Sequence, residues 1–351
     1  MTRKIARPGY AAALLLLAAC GAEAPRPEAE GADPGGVVNV YSHRHYESDQ
    51  QLFQRFTELT GIEVKVVSAS ADELITRLEA EGAASPADVL ITVDAGRLHR
   101  AKERGLLQPI GSEVLRANVP AHLRDPEGYW FGLTKRARVI VYAKDRVRPE
   151  ELKSYLDLAD ERWKGRLLVR SSENVYNQSL LASIIANEGE AKAREWAAAM
   201  VRNMARPPSG SDTDQAKAVA AGIGDVAVVN TYYVARLIAS SDPEERRVGE
   251  QLGVVFPEQD GRGAHVNVSG AGVTRHAPNR ANAIRLLEFL SSDEAQRIFA
   301  EANHEYPVKP GVEASAVLRE WGEFKADTLN LAVLGELNSA AVRIFDEVGW
   351  R

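Results

Sequence analysis

The chain has 351 residues, of which 26% are charged and 45% hydrophobic, with one cysteine and a formal net charge of −6. That length suits one large two-lobed unit or about two domains, and the ordinary charged and apolar content excludes global disorder. A single cysteine excludes an internal disulfide and any Cys-cluster zinc or iron–sulfur site, and the acidic balance argues against nucleic acid as a partner.

Arg3, Lys4 and Arg7 form a basic N-terminal region ahead of an apolar run over 11–19. The run is too short to span a bilayer and has the form of a signal-peptide core. It ends in Leu17-Ala18-Ala19-Cys20, which resembles a bacterial lipobox, so Cys20 is the expected lipidated mature N-terminus. Residues 1–19 hold three basic and no acidic residues, so removing them takes the charge from −6 to −9. Residues 21–36, GAEAPRPEAEGADPGG, carry no aromatic or β-branched residue and read as a flexible tether. The rest, 37–351, has no second long apolar stretch. It reads as a folded unit held at a membrane surface outside the cytoplasm, in the periplasm or at the cell surface.

Along that unit, 37–41 is β-rich, 49–61 has Leu52, Phe53, Phe56 and Leu59 at helical spacing, and 62–67 alternates like a strand. Helix is expected over 71–81 and 95–104, with a buried strand at 88–93 between them. Asp94 reads as the cap of the second helix. The pattern repeats with strands at 137–142 and 166–170, helices from 177 and 190 and over 215–222, and a strand at 226–229. Strands at 254–256 and 272–274, helices over 281–290 and 293–302, and a helical tail from 317 complete it. This alternation predicts an α/β fold with mainly parallel sheets.

Tyrosines sit where such sheets bind ligands, just beyond strand ends. His43-Arg44-His45-Tyr46 follows the first strand, Tyr176 lies in Ser171-Ser172-Glu173-Asn174-Val175-Tyr176, and Tyr232-Tyr233 follow the strand at 226–229. Tyr129, Tyr142 and Tyr306 fall in or beside strands and core turns and read as structural. No nucleophile–base set, H-E-x-x-H or dinucleotide fingerprint accompanies them, so an enzyme is not expected.

The segments YSHRHYESD, WFGLTKRARVIVY, RSSENVYNQSL, GDVAVVNTYYVARL and EYPV resemble the periplasmic ferric-ion-binding proteins of bacterial iron ABC importers, in their tyrosine-rich, cyanobacterial-type subgroup. The resemblance runs from about residue 38 to the C-terminus and is most specific at Tyr232-Tyr233. It implies a type II periplasmic-binding-protein fold, with lobe 1 over 37–134 plus 264–309 and lobe 2 over 135–263 plus 310–351, and the ligand between them. It also implies iron ligands Tyr46, Tyr176, Tyr232 and Tyr233, with His45 as a further candidate. Arg136 or Arg138 would balance charge, and where fewer tyrosines bind, Ser171, Ser172 and Asn174 would serve a synergistic anion such as carbonate. The expected cargo is Fe³⁺, with Fe²⁺ as the alternative where an arginine or a water adjusts the charge. The expected partner is an inner-membrane ABC permease and the expected state a monomer.

Iron chemistry suits these residues. A hard trivalent cation prefers anionic oxygen donors, and its charge displaces a phenolic proton whose ordinary pKa is about 10. The competing expectation is the same fold holding an organic cation or oxyanion, such as a polyamine, thiamine or sulfate.

Overall fold

The computed structural model describes residues 1–2, 35–44 and 46–351. Cys20, the leader, most of the tether and His45 lie outside the described residues.

Among the described residues, nine strands form one continuous, curled sheet system. They are β1 (Val37–Ser42), β2 (Glu63–Ser68), β3 (Val89–Thr92), β4 (Phe131–Ala143), β5 (Leu167–Leu168), β6 (Val226–Asn230), β7 (Leu252–Val255), β8 (Val266–Val273) and β9 (Tyr306–Pro307). The order is β2-β1-β3-β8-β4-β6-β5, with β7 and β9 also paired to β4. β4 belongs to both halves. Its residues up to Ala137 pair with β8, and from Arg138 onward they pair with β6.

The sheets are mixed rather than mainly parallel. Between these strands parallel pairing is confined to β1–β2, β1–β3 and β5–β6, whereas β8 runs antiparallel to β3 and β4, and β4 antiparallel to β6, β7 and β9. The difference arises at β4 and β8, whose extents are concealed in the sequence. β8 (VNVSGAGV) carries glycines that weaken a strand pattern. In the structure a Cβ on Gly270 would meet the Phe131 carbonyl oxygen at 2.6 Å, and one on Gly272 the Tyr129 carbonyl oxygen at 2.6 Å. These glycines permit the close approach of β4 and the chain just before it. β4 carries Lys135, Arg136 and Arg138, and two of these three, Arg136 and Arg138, are fully buried, which disguises it as a surface segment.

Helices cover the sheets. Their starts follow local chemistry: the Ser70 hydroxyl accepts from the Glu73 N–H at 3.3 Å and the Asp94 carboxylate from the Gly96 N–H at 2.8 Å, satisfying donors that a helix start leaves open. Trp130, Trp163, Trp196, Phe56, Phe131 and Phe345 are fully buried in a core spanning both halves. Among the described residues no helix is long and apolar enough to cross a membrane.

Candidate metal centre

Three helix starts bring the tyrosines together. Tyr46 precedes the helix Glu47–Thr60, and its N–H donates to the Asp49 carboxylate at 3.3 Å. Tyr176 is the second residue of the helix Val175–Glu188, its N–H capped by the Asn174 side chain at 3.0 Å. Tyr232 and Tyr233 open the helix Thr231–Ala239 directly after β6. Each helix start carries positive partial charge, which favours anionic oxygen nearby.

The Tyr232 and Tyr176 hydroxyls lie 3.2 Å apart, and the Tyr232 and Tyr233 rings are 4.3 Å apart between centroids. Tyr46 joins them through Arg236, whose guanidinium lies 4.8 Å from the Tyr46 ring centroid and 5.2 Å from that of Tyr232. Arg136, Arg138 and Arg170 lie 5.2, 5.8 and 5.6 Å from the Tyr176 ring centroid, and Arg44 4.8 Å from that of Tyr46.

Burial favours the neutral form of Tyr46, Tyr176 and Tyr232 in the absence of a cation. It pushes the Tyr46 phenol above its ordinary value, aided by the Glu305 carboxylate and opposed by Arg44. Burial likewise raises Tyr176, with Tyr233 adding and Arg136 opposing, and raises Tyr232 strongly, with Tyr176 and Tyr46 adding. Only a strong positive charge at the hydroxyls would remove the protons.

The arginines differ in role. Arg138 is held by Asp212 at 2.5 Å, Asn177 at 2.8 Å and Asn230 at 3.2 Å, and Asp212 also accepts the Asn230 N–H at 2.8 Å. This buried network fixes the turn that launches Tyr232 and Tyr233. Arg136 donates to the Val93 carbonyl oxygen and lies 3.8 Å from Asp94. Its Nη1 is buried with no protein partner, as are Arg138 Nε, Asn230 Nδ2 and Thr231 Oγ1. Unmet buried donors are costly, and their concentration on the segments around Tyr176 and Tyr232 marks a site built for a ligand of opposite charge or for water. Arg136, Arg138, Tyr176, Asn230, His265 and Asn267 line one small recess there. Burial, then Arg136 and Arg138, push His265 down to about 3, so this imidazole is neutral near pH 7.

Ser171, Ser172 and Asn174 form the turn before Tyr176. The Ser171 hydroxyl accepts the Glu173 N–H at 3.1 Å, the Ser172 carbonyl accepts from the Gln178 side chain at 3.0 Å, and Asn174 caps the helix. Their contacts are local, and the groups that reach the Tyr176 ring are guanidiniums. His45 lies outside the described residues.

Sequence reasoning passed over Arg44, Glu305, Arg170 and Arg236. Arg44 is buried and binds Asp49 at 3.2 Å, Ser269 at 2.7 Å and Glu305 at 3.0 Å, while the Thr134 hydroxyl donates to Glu305 at 2.8 Å. Burial would raise the Glu305 carboxyl, but Arg44 outweighs it and holds the group below its usual range. Arg44 and Glu305 lie inside the HRHY and EYPV motifs, so their positions were visible although their roles were not. Among the described residues, no group of three or more His, Cys, Asp or Glu is placed to hold a metal ion.

A family description, bacterial extracellular solute-binding protein, matches residues 84–324. The chain belongs to that family. Among its relatives, iron uptake protein A1 of Synechocystis is 50% identical over 336 residues, covering 96% of this chain and 93% of the relative. A solved Trichodesmium FutA in complex with iron and citrate ligands is 54% identical, with a TM-score of 0.87, covering 90% of this chain and 100% of that one. A ferric binding protein from Campylobacter jejuni is 44% identical, with a TM-score of 0.86 and coverage of 90% and 100%. These solute-binding proteins share the fold described above, and the relatives are binding and uptake proteins rather than enzymes.

Proposed function

We propose that this chain captures ferric ion in the cleft between its two lobes through Tyr46, Tyr176, Tyr232 and Tyr233 and delivers it to an ABC importer in the inner membrane. The observation that carries this reading is the convergence of four buried or half-buried tyrosines, with Tyr232 and Tyr176 hydroxyls 3.2 Å apart, where no carboxylate–imidazole cluster competes among the described residues. The relatives' names, iron uptake protein and ferric binding protein, support the same cargo.

Four phenolates against three positive charges leave about one negative charge, which Arg136 and Arg236 offset; a synergistic anion such as carbonate would replace a missing phenolate. A ring of guanidiniums argues against the organic-cation alternative, because each would repel a polyamine or thiamine. The lobes on this reading are 37–134 plus 264–309 and 135–263 plus 310–351, and the protein acts as a monomer tethered by lipid on Cys20.

Titration of the iron-free protein with ferric citrate tests the assignment. A visible phenolate-to-iron charge-transfer band should grow to saturation at one iron per chain. A fully iron-loaded, colourless protein would refute tyrosinate ligation.

A further inference from the structure

β4 and β9 present two faces. Thr134, Arg136 and Glu305 face the tyrosines, with the Thr134 hydroxyl bonded to Glu305. The alternate residues, Lys135 and Tyr306, are cross-strand partners and open into a cleft of about 740 Å³ on the other side. That size is within the range of small-molecule sites.

The polar groups in this cleft are unusual. The Lys135 ammonium makes no hydrogen bond or ion pair among the described residues. Its neighbours are the Tyr306 and Phe324 rings, each 6.0 Å from Nζ to the centroid, and His122 on the same wall, whose imidazole is held below its ordinary value by burial and by the Lys135 charge. The Tyr306 hydroxyl is buried and has no partner. Burial pushes both groups toward their neutral forms. The other cations on the rim are already paired, Lys309 with Asp293 at 2.7 Å and Arg319 with Glu313 at 3.3 Å. Glu323 lies exposed at the rim, where water screens its charge. One uncompensated ammonium, one unmet hydroxyl and walls from Pro307, Val308, Leu318 and Phe324 match a single anionic head on an apolar body.

We propose that this cleft behind the β4–β9 ladder is a second binding site, for a small organic monocarboxylate held between Lys135 and Tyr306. It lies on the opposite face of β4 from Thr134 and Arg136, the side chains turned toward the tyrosine cluster.

Calorimetry on the full chain, with benzoate as the probe and benzamide as its neutral counterpart, tests this. Benzoate should bind saturably at one per chain, with benzamide at least about tenfold weaker. Lys135→Met should weaken benzoate at least about tenfold, leave the ferric titration unchanged, and raise the ligand-free melting temperature by removing an unpaired, largely buried cation. Tyr306→Phe, which keeps the ring, should weaken benzoate by a smaller factor. The proposal is overturned by absence of saturable benzoate binding, by equal affinity in Lys135→Met, or by benzoate competing with iron for the tyrosines.

Discussion

Tyr232 and Tyr233 are adjacent in sequence, yet both belong to one cluster because the helix Thr231–Ala239 begins with them. Replacing both by Phe preserves ring packing and removes two oxygen donors and two developing charges. Iron affinity should fall by more than the roughly 10–100-fold that loss of a supporting contact costs, while circular dichroism and melting temperature stay near those of the parent. Arg236 lies over two of the rings. Arg236→Gln should weaken iron roughly 10–100-fold and move the pH dependence of loading to higher pH, because the phenolates lose a stabilising charge; an unchanged pH profile would mean that Arg236 serves packing alone. The raised phenols fix the sign of that profile. Tyr46, Tyr176 and Tyr232 are protonated at neutral pH and must lose protons on loading, so affinity measured against a competing chelator should fall as pH falls. For the iron-free protein the same shifts stabilise the fold below the unfolded phenol value of about 10, and that contribution is lost as pH rises through the higher folded values. Alkaline melting curves should therefore drop above about pH 10.

At the scale of elements, the short helix Ala332–Glu336 is seated against the helix Ala95–Glu103 with almost no clearance. A Cβ on Gly335 would meet the His99 Cβ 2.4 Å away and its ring at 2.5 Å. Gly335→Ala should destabilise the protein by about 1–3 kcal/mol through overpacking, read as a lowered melting temperature with the iron stoichiometry kept. Elements whose chemistry is local were legible in the sequence: the helix over 71–81, and the helix expected from 190, which runs to Asn203, stand where the pattern places them. Asp94 caps its helix as expected. What was hidden depends on distant partners. β4 extends to Phe131 because β8 pairs with it there, and nothing local shows that Arg136 and Arg138 are buried. The helix Thr231–Ala239 was missed because its start reads as a continuation of the strand, Thr, Tyr and Val being β-formers. The tyrosines proposed as ligands were visible because they sit beyond strand ends. Arg44, Glu305 and Arg236 acquire meaning only when β9 and the helix Thr231–Ala239 are folded against β1 and the helix after it.

Across the whole molecule, the tyrosines come from segments far apart in the chain, joined by contacts that bridge the two halves. The Ser179 hydroxyl, on the helix Val175–Glu188, donates to the Asp94 carboxylate at the end of β3 at 2.9 Å. Arg236 reaches Tyr46 from the other side of the cleft. β4 runs through both sheets, so bending near Ala137 and Arg138, where its partner changes from β8 to β6, would separate Tyr46 from the other three tyrosines without breaking either core. Hinge motions of that kind open and close two-lobed binding proteins, and opening at a permease would strip one ligand from the ion and weaken its hold. The central claim is therefore positional. It is tested most directly by crystals of the iron-loaded protein and an anomalous difference map at the iron edge. The account predicts one strong peak bonded to the hydroxyl oxygens of Tyr46, Tyr176, Tyr232 and Tyr233. A peak ligated elsewhere, or one bonded to none of these oxygens, would contradict it.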